Sequence, residues 1–218
     1  MASQEIKRAD VRAYIGATGT GKGVSIVKHL QAQRPSRLVV FDPLHEYGAL
    51  ARPVTTVREA IEAMKGKTFK VAWQPPDETD YTAKKFKGDF ELLCRAAFIA
   101  GDLTLLVEEL ELVTSPTWAP AAWRNCTKRG RHVGLRIIGA SQRPADCDKA
   151  FLSSCTYVRA FALREHKDRQ RVAQALDVPV EQIAKLRTLN QGNKTTITLY
   201  EKNYSEGTEG EKTIVLQR

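Results

Sequence analysis

The sequence predicts an α/β domain: a mostly parallel sheet covered by helices on both faces, with a C-terminal β-hairpin. Three observations carry that prediction. Short apolar runs alternate with helix-period segments along most of the chain, the order that produces parallel strands and crossover helices. The first such unit, "VRAYIGATGTGKGVSIVKHLQAQ", joins a strand to a helix through a glycine-rich turn. Near the end, "NKTTITLYEKN" and "KTIVLQR" alternate polar and apolar positions instead, the period of antiparallel strands.

In order, Val11–Ile15 reads as a buried strand and about Lys22–Gln33 as the helix after the glycine turn. "SRLVVFDP" is a second strand stopped by the Asp42-Pro43 turn, "VREAIEAMKG" a short amphipathic helix, and "TFKVAW" a third strand before the polar loop "QPPDETD". "FELLCRAAFIAG" repeats its apolar positions at helical spacing and stops at Gly101. "LTLLVEELELV" reads as a buried strand ending in carboxylates, and "SPTWAPAAWRNCTKRGRHVG" as a short helix running into a basic turn. "LRIIGASQRP" is a further buried strand closed by Pro144, and "TYVRAFAL" the next strand. "EHKDRQRVAQALDVPVEQIAKL" holds two helical segments split at Pro179, and "SEGTEGE" is expected to be a loose loop in the terminal hairpin.

With 218 residues, 42% of them hydrophobic and 27% charged, the chain reads as one globular domain over 1–218, its polar residues 1–10 frayed. No apolar run is long enough to span a membrane, and no basic region followed by a long apolar core argues for export. A cytoplasmic protein is expected. The 4 cysteines form no C-x-x-C pair and have no histidine at finger spacing, which argues against zinc and for reduced thiols. The formal net charge is +9, and Pro120–Arg171 alone holds 12 lysines and arginines against 4 acids. That excess suits an acidic partner, nucleic acid above all.

"GATGTGKG", Gly16 to Gly23, matches the phosphate-binding pattern G-x-x-x-x-G-K in the required strand–loop–helix setting. Gly16, Gly19 and Gly21 allow N–H groups to turn inward around phosphates, and the helix start adds its positive end. The candidate nucleotide contacts are Gly16, Thr18, Gly19, Thr20, Gly21, Lys22, Gly23 and Val24, with Lys22 bridging the outer phosphates. One position is anomalous. Gly23 stands where a serine or threonine hydroxyl ordinarily holds Mg²⁺. Water or a neighbouring side chain is expected to cover the missing hydroxyl; Ser25 is one candidate, although it sits nearly a turn further along the helix.

Two acids, Glu108 and Glu109, follow the run "LTLLV" at the carboxyl edge expected for the loop as well. One can order Mg²⁺ through its waters while the next polarises an attacking water, and we assign Glu108 to the metal and Glu109 to the water. Gln142, after the strand "LRIIGAS", is placed to sense a terminal phosphate. In "TKRGRHVG", either Arg129 or Arg131 could reach a neighbouring subunit's nucleotide or contact DNA phosphate.

Four segments in this order, "GATGTGKG", "VVFDPLHEY", "LTLLVEELE" and "RGRHVGLRIIGASQRP", resemble the FtsK–HerA superfamily of DNA-pumping ATPases. The similarity spans about Val11 to Leu176. "DPLHEY" looks like the D-P-x-x-E-Y of HerA-type members, and "SQRP" like their sensor-glutamine segment. The resemblance implies a RecA-like core, ATP hydrolysis with Mg²⁺ at subunit interfaces, a homo-oligomeric ring usually of six subunits, and double-stranded DNA threaded through it. Gly23 departs from the pattern, although TraG-like coupling proteins also show G-K-G-V, and Glu108 stands where Asp is usual. The resemblance covers the core alone, and neither the HerA barrel nor the membrane region and DNA-reading domain of FtsK is expected in these residues. Such a stripped core is similar to the genome-packaging ATPases of tailless, membrane-containing viruses, which implies a capsid or portal partner and a place in the host cytoplasm or at a virion vertex. The Zot-like assembly ATPases share the core but usually add a membrane segment. A plasmid-transfer or repair motor, and a non-hydrolysing nucleotide-binding DNA adaptor ring, remain the alternatives.

Overall fold

The computed structural model describes residues 9–76 and 83–217. Of the N-terminal stretch expected to fray, residues 1–8 lie outside the described residues, while Asp10 already opens the first strand. The second half of the loop "QPPDETD" also lies outside them. The strands are β1 (Asp10–Ile15), β2 (Arg37–Phe41), β3 (Arg52–Val54), β4 (Phe69–Trp73), β5 (Thr104–Val107), β6 (Arg136–Ser141), β7 (Tyr157–Ala160), β8 (Thr188–Gln191), β9 (Lys194–Asn203) and β10 (Thr208–Gln217). The helices are α1 (Lys22–Gln33), α2 (Val57–Ala63), α3 (Ala83–Ala100), α4 (Leu110–Val113), α5 (Ala121–Arg129), α6 (Lys149–Ser154), α7 (His166–Leu176) and α8 (Val180–Ala184).

The ten strands form one sheet in the order β10-β9-β7-β1-β6-β5-β2-β4-β3, with β8 added beside β9. Pairing is parallel between β1 and β7, between β2 and both β4 and β5, and between β3 and β4. It is antiparallel where β9 meets β7, β8 and β10. The sequence periods account for this division. β2 and β5 are apolar almost throughout and buried along almost their whole length, as strands covered on both faces must be, whereas β10 is largely exposed at the edge.

The chain clusters into two compact units. One contains Pro35–Glu108 and Ala119–Ile138, and its core is aromatic: the Phe41 ring lies 5.4 Å from Trp73 and 5.2 Å from Phe90, with Trp123 6.0 Å from Phe90. The other contains Arg12–Arg34, Glu109–Trp118 and Gly139–Arg218, and buries Ile15, Ile26, Phe151 and Phe161.

Several expectations are corrected. "LTLLVEELELV" is not a strand throughout: β5 stops at Val107, Glu109 takes a left-handed backbone (φ 48°) and Leu110–Val113 turns into α4. A residue in that conformation cannot continue a strand. "SEGTEGE" is no loose loop either, because β10 begins at Thr208 and only a tight turn precedes it. Asn203 Oδ1 closes that turn by accepting N–H bonds from Ser205 at 3.1 Å and Glu206 at 3.3 Å. Helix α3 begins at Ala83, ahead of the periodic segment. The short elements β3, β8 and α6 carry too few residues to show a period.

Candidate functional site

The glycine loop is held from both sides. Gly16 N–H donates to Ser141 O at 3.1 Å and Ala17 N–H to Ala162 O at 3.0 Å, which pins the loop to the ends of β6 and β7. A Cβ on Gly16 would stand 2.6 Å from Phe161 Cβ, so only glycine fits there. Gly21 takes a left-handed backbone (φ 96°) as the cap of α1, and no side chain caps that helix. The first N–H groups of a helix have no intrahelical partner and favour an anion. Gly23, by contrast, lies within α1 and not in the left-handed region, so backbone conformation does not require a glycine there.

A chain of polar contacts meets at the loop. Lys22, 8% exposed, places Nζ 3.5 Å from Glu109 Oε1. Gln142 Nε2 donates to the same oxygen at 2.5 Å, and the Thr18 hydroxyl donates to Gln142 Oε1. Glu111 supports this arrangement from below: its Oε1 accepts the N–H groups of Gln142 and Arg143, both at 3.0 Å. Burial raises the Glu109 carboxyl from its ordinary value; Lys22 opposes that shift and Glu111 adds to it. A buried, basic carboxylate beside a lysine and an amide can accept a proton from water.

Glu108 is treated differently, within the other unit. Asp42, wholly buried, accepts N–H bonds from Glu46 at 2.8 Å and Tyr47 at 3.1 Å, and a third bond from Gln74 Nε2 at 2.8 Å. The "DPLHEY" turn is thereby fixed, and Tyr47 Oη donates to Glu108 Oε1. Burial, then the Glu108 charge, push the Tyr47 phenol well above its ordinary value, so Tyr47 remains a neutral donor.

Among the described residues no group of three or more His, Cys, Asp or Glu is placed to hold a metal. Mg²⁺ in nucleotide sites ordinarily uses one or two carboxylates, waters and the substrate's phosphates, and the acids present fit that donor set. The Ser25 hydroxyl already has a partner. It is buried and accepts a bond from Arg159 Nη1, which engages its oxygen only in part, so it stays one candidate for the missing ligand at position 23. The Thr20 hydroxyl is likewise engaged, donating to Ala17 O at 2.7 Å.

The structure therefore brings Thr18, Lys22, Glu109 and Gln142 together, with Gly16, Gly19, Gly21, Gly23 and Val24 in the adjoining loop and helix start. Arg129 ends α5 and Arg131 lies in the following 3-10 turn; both are exposed and belong to the unit that holds Glu108. Sequence reasoning missed Glu111, Tyr47, Asp42 and Gln74 as supporting residues. Only the proximity of Glu111 to the acidic pair and the quoted "DPLHEY" segment signalled any of them.

No family model matches this chain. Protein P9 of Pseudoalteromonas phage PM2 is 24% identical over 179 residues, 80% of this chain and 78% of that protein. The genome packaging NTPase B204 of Sulfolobus turreted icosahedral virus 2, solved in complex with ATP-gammaS, superposes with a TM-score of 0.70 at 18% identity, covering 95% of this chain and 98% of that one. VirB4 of Thermoanaerobacter pseudethanolicus gives a TM-score of 0.60 at 11% identity, covering 95% and 88%. No described helix is long and apolar enough to cross a membrane. The resemblance carried by the four sequence segments is thus borne out: the chain has a P-loop NTPase fold, similar along nearly its whole length to a viral genome-packaging NTPase.

Proposed function

We propose that this chain is a single-domain ATPase that drives double-stranded DNA into a viral particle, working as a homo-oligomeric ring. The observation that carries the proposal is the meeting of Lys22, Glu109, Gln142 and Thr18 at a glycine loop whose helix start is uncapped. In this reading the loop N–H groups and Lys22 hold the phosphates, Glu109 accepts the proton of the attacking water, and Gln142 senses the terminal phosphate. Glu108 orders Mg²⁺, whose charge helps neutralise the phosphates. Arg129 or Arg131 reaches a neighbouring subunit's nucleotide. The likeness to the genome packaging NTPase B204 favours packaging over plasmid transfer or repair, and the positive excess of Pro120–Arg171 suits DNA phosphate.

A second reading, a nucleotide-binding adaptor ring without hydrolysis, is favoured by Gly23 together with the engagement of Ser25 by Arg159. Measuring ATP hydrolysis by the purified chain, with and without linear duplex DNA, separates the two. Hydrolysis that DNA stimulates, with DNA affinity falling steeply as salt rises, supports the motor. No hydrolysis at any Mg²⁺ or DNA concentration overturns it in favour of the adaptor.

A further inference from the structure

The C-terminal strands reach the glycine loop and its helix directly and through β7, outside the Lys22–Glu109–Gln142 chain. From the start of β8, the Thr188 hydroxyl donates to Thr20 O at 3.3 Å. On β9, Ile197 fills the space beside Gly21, its Cδ1 2.4 Å from where a Cβ would stand. An indirect link runs through Arg159 of β7, which is ion-paired to β9 and hydrogen-bonded to α1. Arg159 Nη1 donates to the Ser25 hydroxyl, while Nε donates to Glu201 Oε2 on β9 at 2.9 Å. Glu201 Oε1 accepts in turn from Lys212 Nζ on β10 at 2.6 Å.

This arrangement acts on the part of the loop that most needs support. Glycines at 19, 21 and 23 make the segment costly to order, because glycine loses the most backbone freedom on folding. Ser25 N–H makes the first turn's bond to Gly21 O at 3.0 Å, so fixing Ser25 fixes the turn that contains Lys22 and Gly23. Arg159 is itself immobilised. Both Nε and Nη2 engage one Glu201 oxygen, and the guanidinium lies 5.6 Å from the Tyr157 ring and 5.9 Å from the Tyr14 ring. Glu201 stays ionised: burial alone would raise its carboxyl, but bonds from Lys212, Tyr157 and Arg159 hold it down at about 2.

The geometry points to Arg159 as a positioning residue for the glycine loop, holding the first turn of α1 through Ser25 and taking its own position from Glu201 and Lys212 on the C-terminal hairpin. The inference rests on the reading of that loop as the nucleotide site. It makes the hairpin part of the phosphate-binding apparatus.

The test uses the full chain, with ATP-gammaS binding by calorimetry, KM and kcat for ATP, and thermal melting. Ser25→Ala removes the hydroxyl and leaves the Arg159–Glu201 pair intact. It should weaken ATP-gammaS binding about tenfold, the scale of a lost hydrogen bond to a charged group, and raise KM in parallel. The turnover number should stay within about twofold, since no transition-state contact is lost. Arg159→Lys should act in the same direction, and the double variant should bind no more weakly than the weaker single one. Glu209→Gln, which removes the Lys202–Glu209 pair at 2.7 Å on the same hairpin, should leave nucleotide binding unchanged. A wild-type chain that binds ATP-gammaS and a Ser25→Ala variant that binds it equally overturn the inference alone, whatever the melting temperatures. A wild-type chain that binds none overturns the nucleotide reading itself. Should Arg159→Lys fail to fold, Ser25→Ala still decides.

Discussion

Glu108 and Glu109 are joined by one peptide bond, yet their surroundings contrast. The Glu108 carboxylate is closed in by Tyr47, a neutral phenol fixed through the Asp42 turn. The Glu109 carboxylate is held instead by Lys22 and Gln142, two groups on flexible stems that a phosphate chain would also attract. Both acids lie between the end of β5 at Val107 and the start of α4 at Leu110, and the left-handed backbone at Glu109 separates their side chains, which acquire different partners. A carboxylate with a rigid neutral partner suits a fixed ligand. A carboxylate whose partners can be drawn away suits a base that is released when substrate arrives.

The sharpest way to break this contrast is to neutralise each acid. Glu109→Gln should lower hydrolysis by on the order of a thousandfold while ATP-gammaS still binds, because an amide cannot take up the water's proton. Glu108→Gln should retain turnover at saturating Mg²⁺ and demand more metal to reach it. Single-turnover rates across a Mg²⁺ titration would show whether the two phenotypes are instead reversed, which would overturn the assignment. Lys22→Ala should abolish hydrolysis and weaken nucleotide binding as well.

A smaller effect tests the lock on Glu108. Tyr47→Phe leaves a buried carboxylate short of one donor, which should cost about 1–3 kcal/mol in denaturant unfolding and raise the Mg²⁺ requirement. An unchanged unfolding midpoint would mean that the Tyr47 bond does not stabilise the fold.

The pH dependence of stability should carry opposite signs at two carboxyls. Glu109 has a raised carboxyl, so the native state binds its proton more tightly than the unfolded chain does. Its contribution is favourable below the unfolded value and is lost as pH rises through the raised folded value. Glu109→Gln should therefore be more stable than wild type at neutral pH, by a gap that closes on acidification. Glu201, held at about 2, contributes above the ordinary 4.5 and loses that contribution as pH falls towards 2. Unfolding midpoints of wild type, Glu109→Gln and Glu201→Gln between acid and neutral pH check both signs.

The smallest expected change concerns Gly23. Its helical backbone tolerates a side chain conformationally, so Gly23→Ser should lower the Mg²⁺ concentration for half-maximal hydrolysis and have no effect once the metal saturates. Loss of nucleotide affinity at every Mg²⁺ concentration would mean that the loop needs close backbone approach at that position.

Local pattern made α1 and the loop legible. The span Lys22–Gln33 follows from the glycine turn before it and the apolar period within it, and both are properties of neighbouring residues. The parallel centre and antiparallel end of the sheet follow from continuous against alternating apolar runs. The acidic pair was legible as a pair, but its internal break was not. A single left-handed residue at Glu109 leaves no mark on hydrophobic period, and it is what sends the two acids to different partners.

By itself the sequence determined the fold class, the phosphate-loop motif and the residue types offered to a nucleotide, because these depend on spacing along a few turns of chain. Tertiary structure alone decided which of them meet. Lys22 reaches a carboxylate 87 positions away, Thr18 an amide 124 away, and Ser25 is taken by an arginine 134 positions on. Each contact depends on strand order and register, which bring distant residues within hydrogen-bond range, and hydrogen bonds weaken steeply outside a narrow geometry.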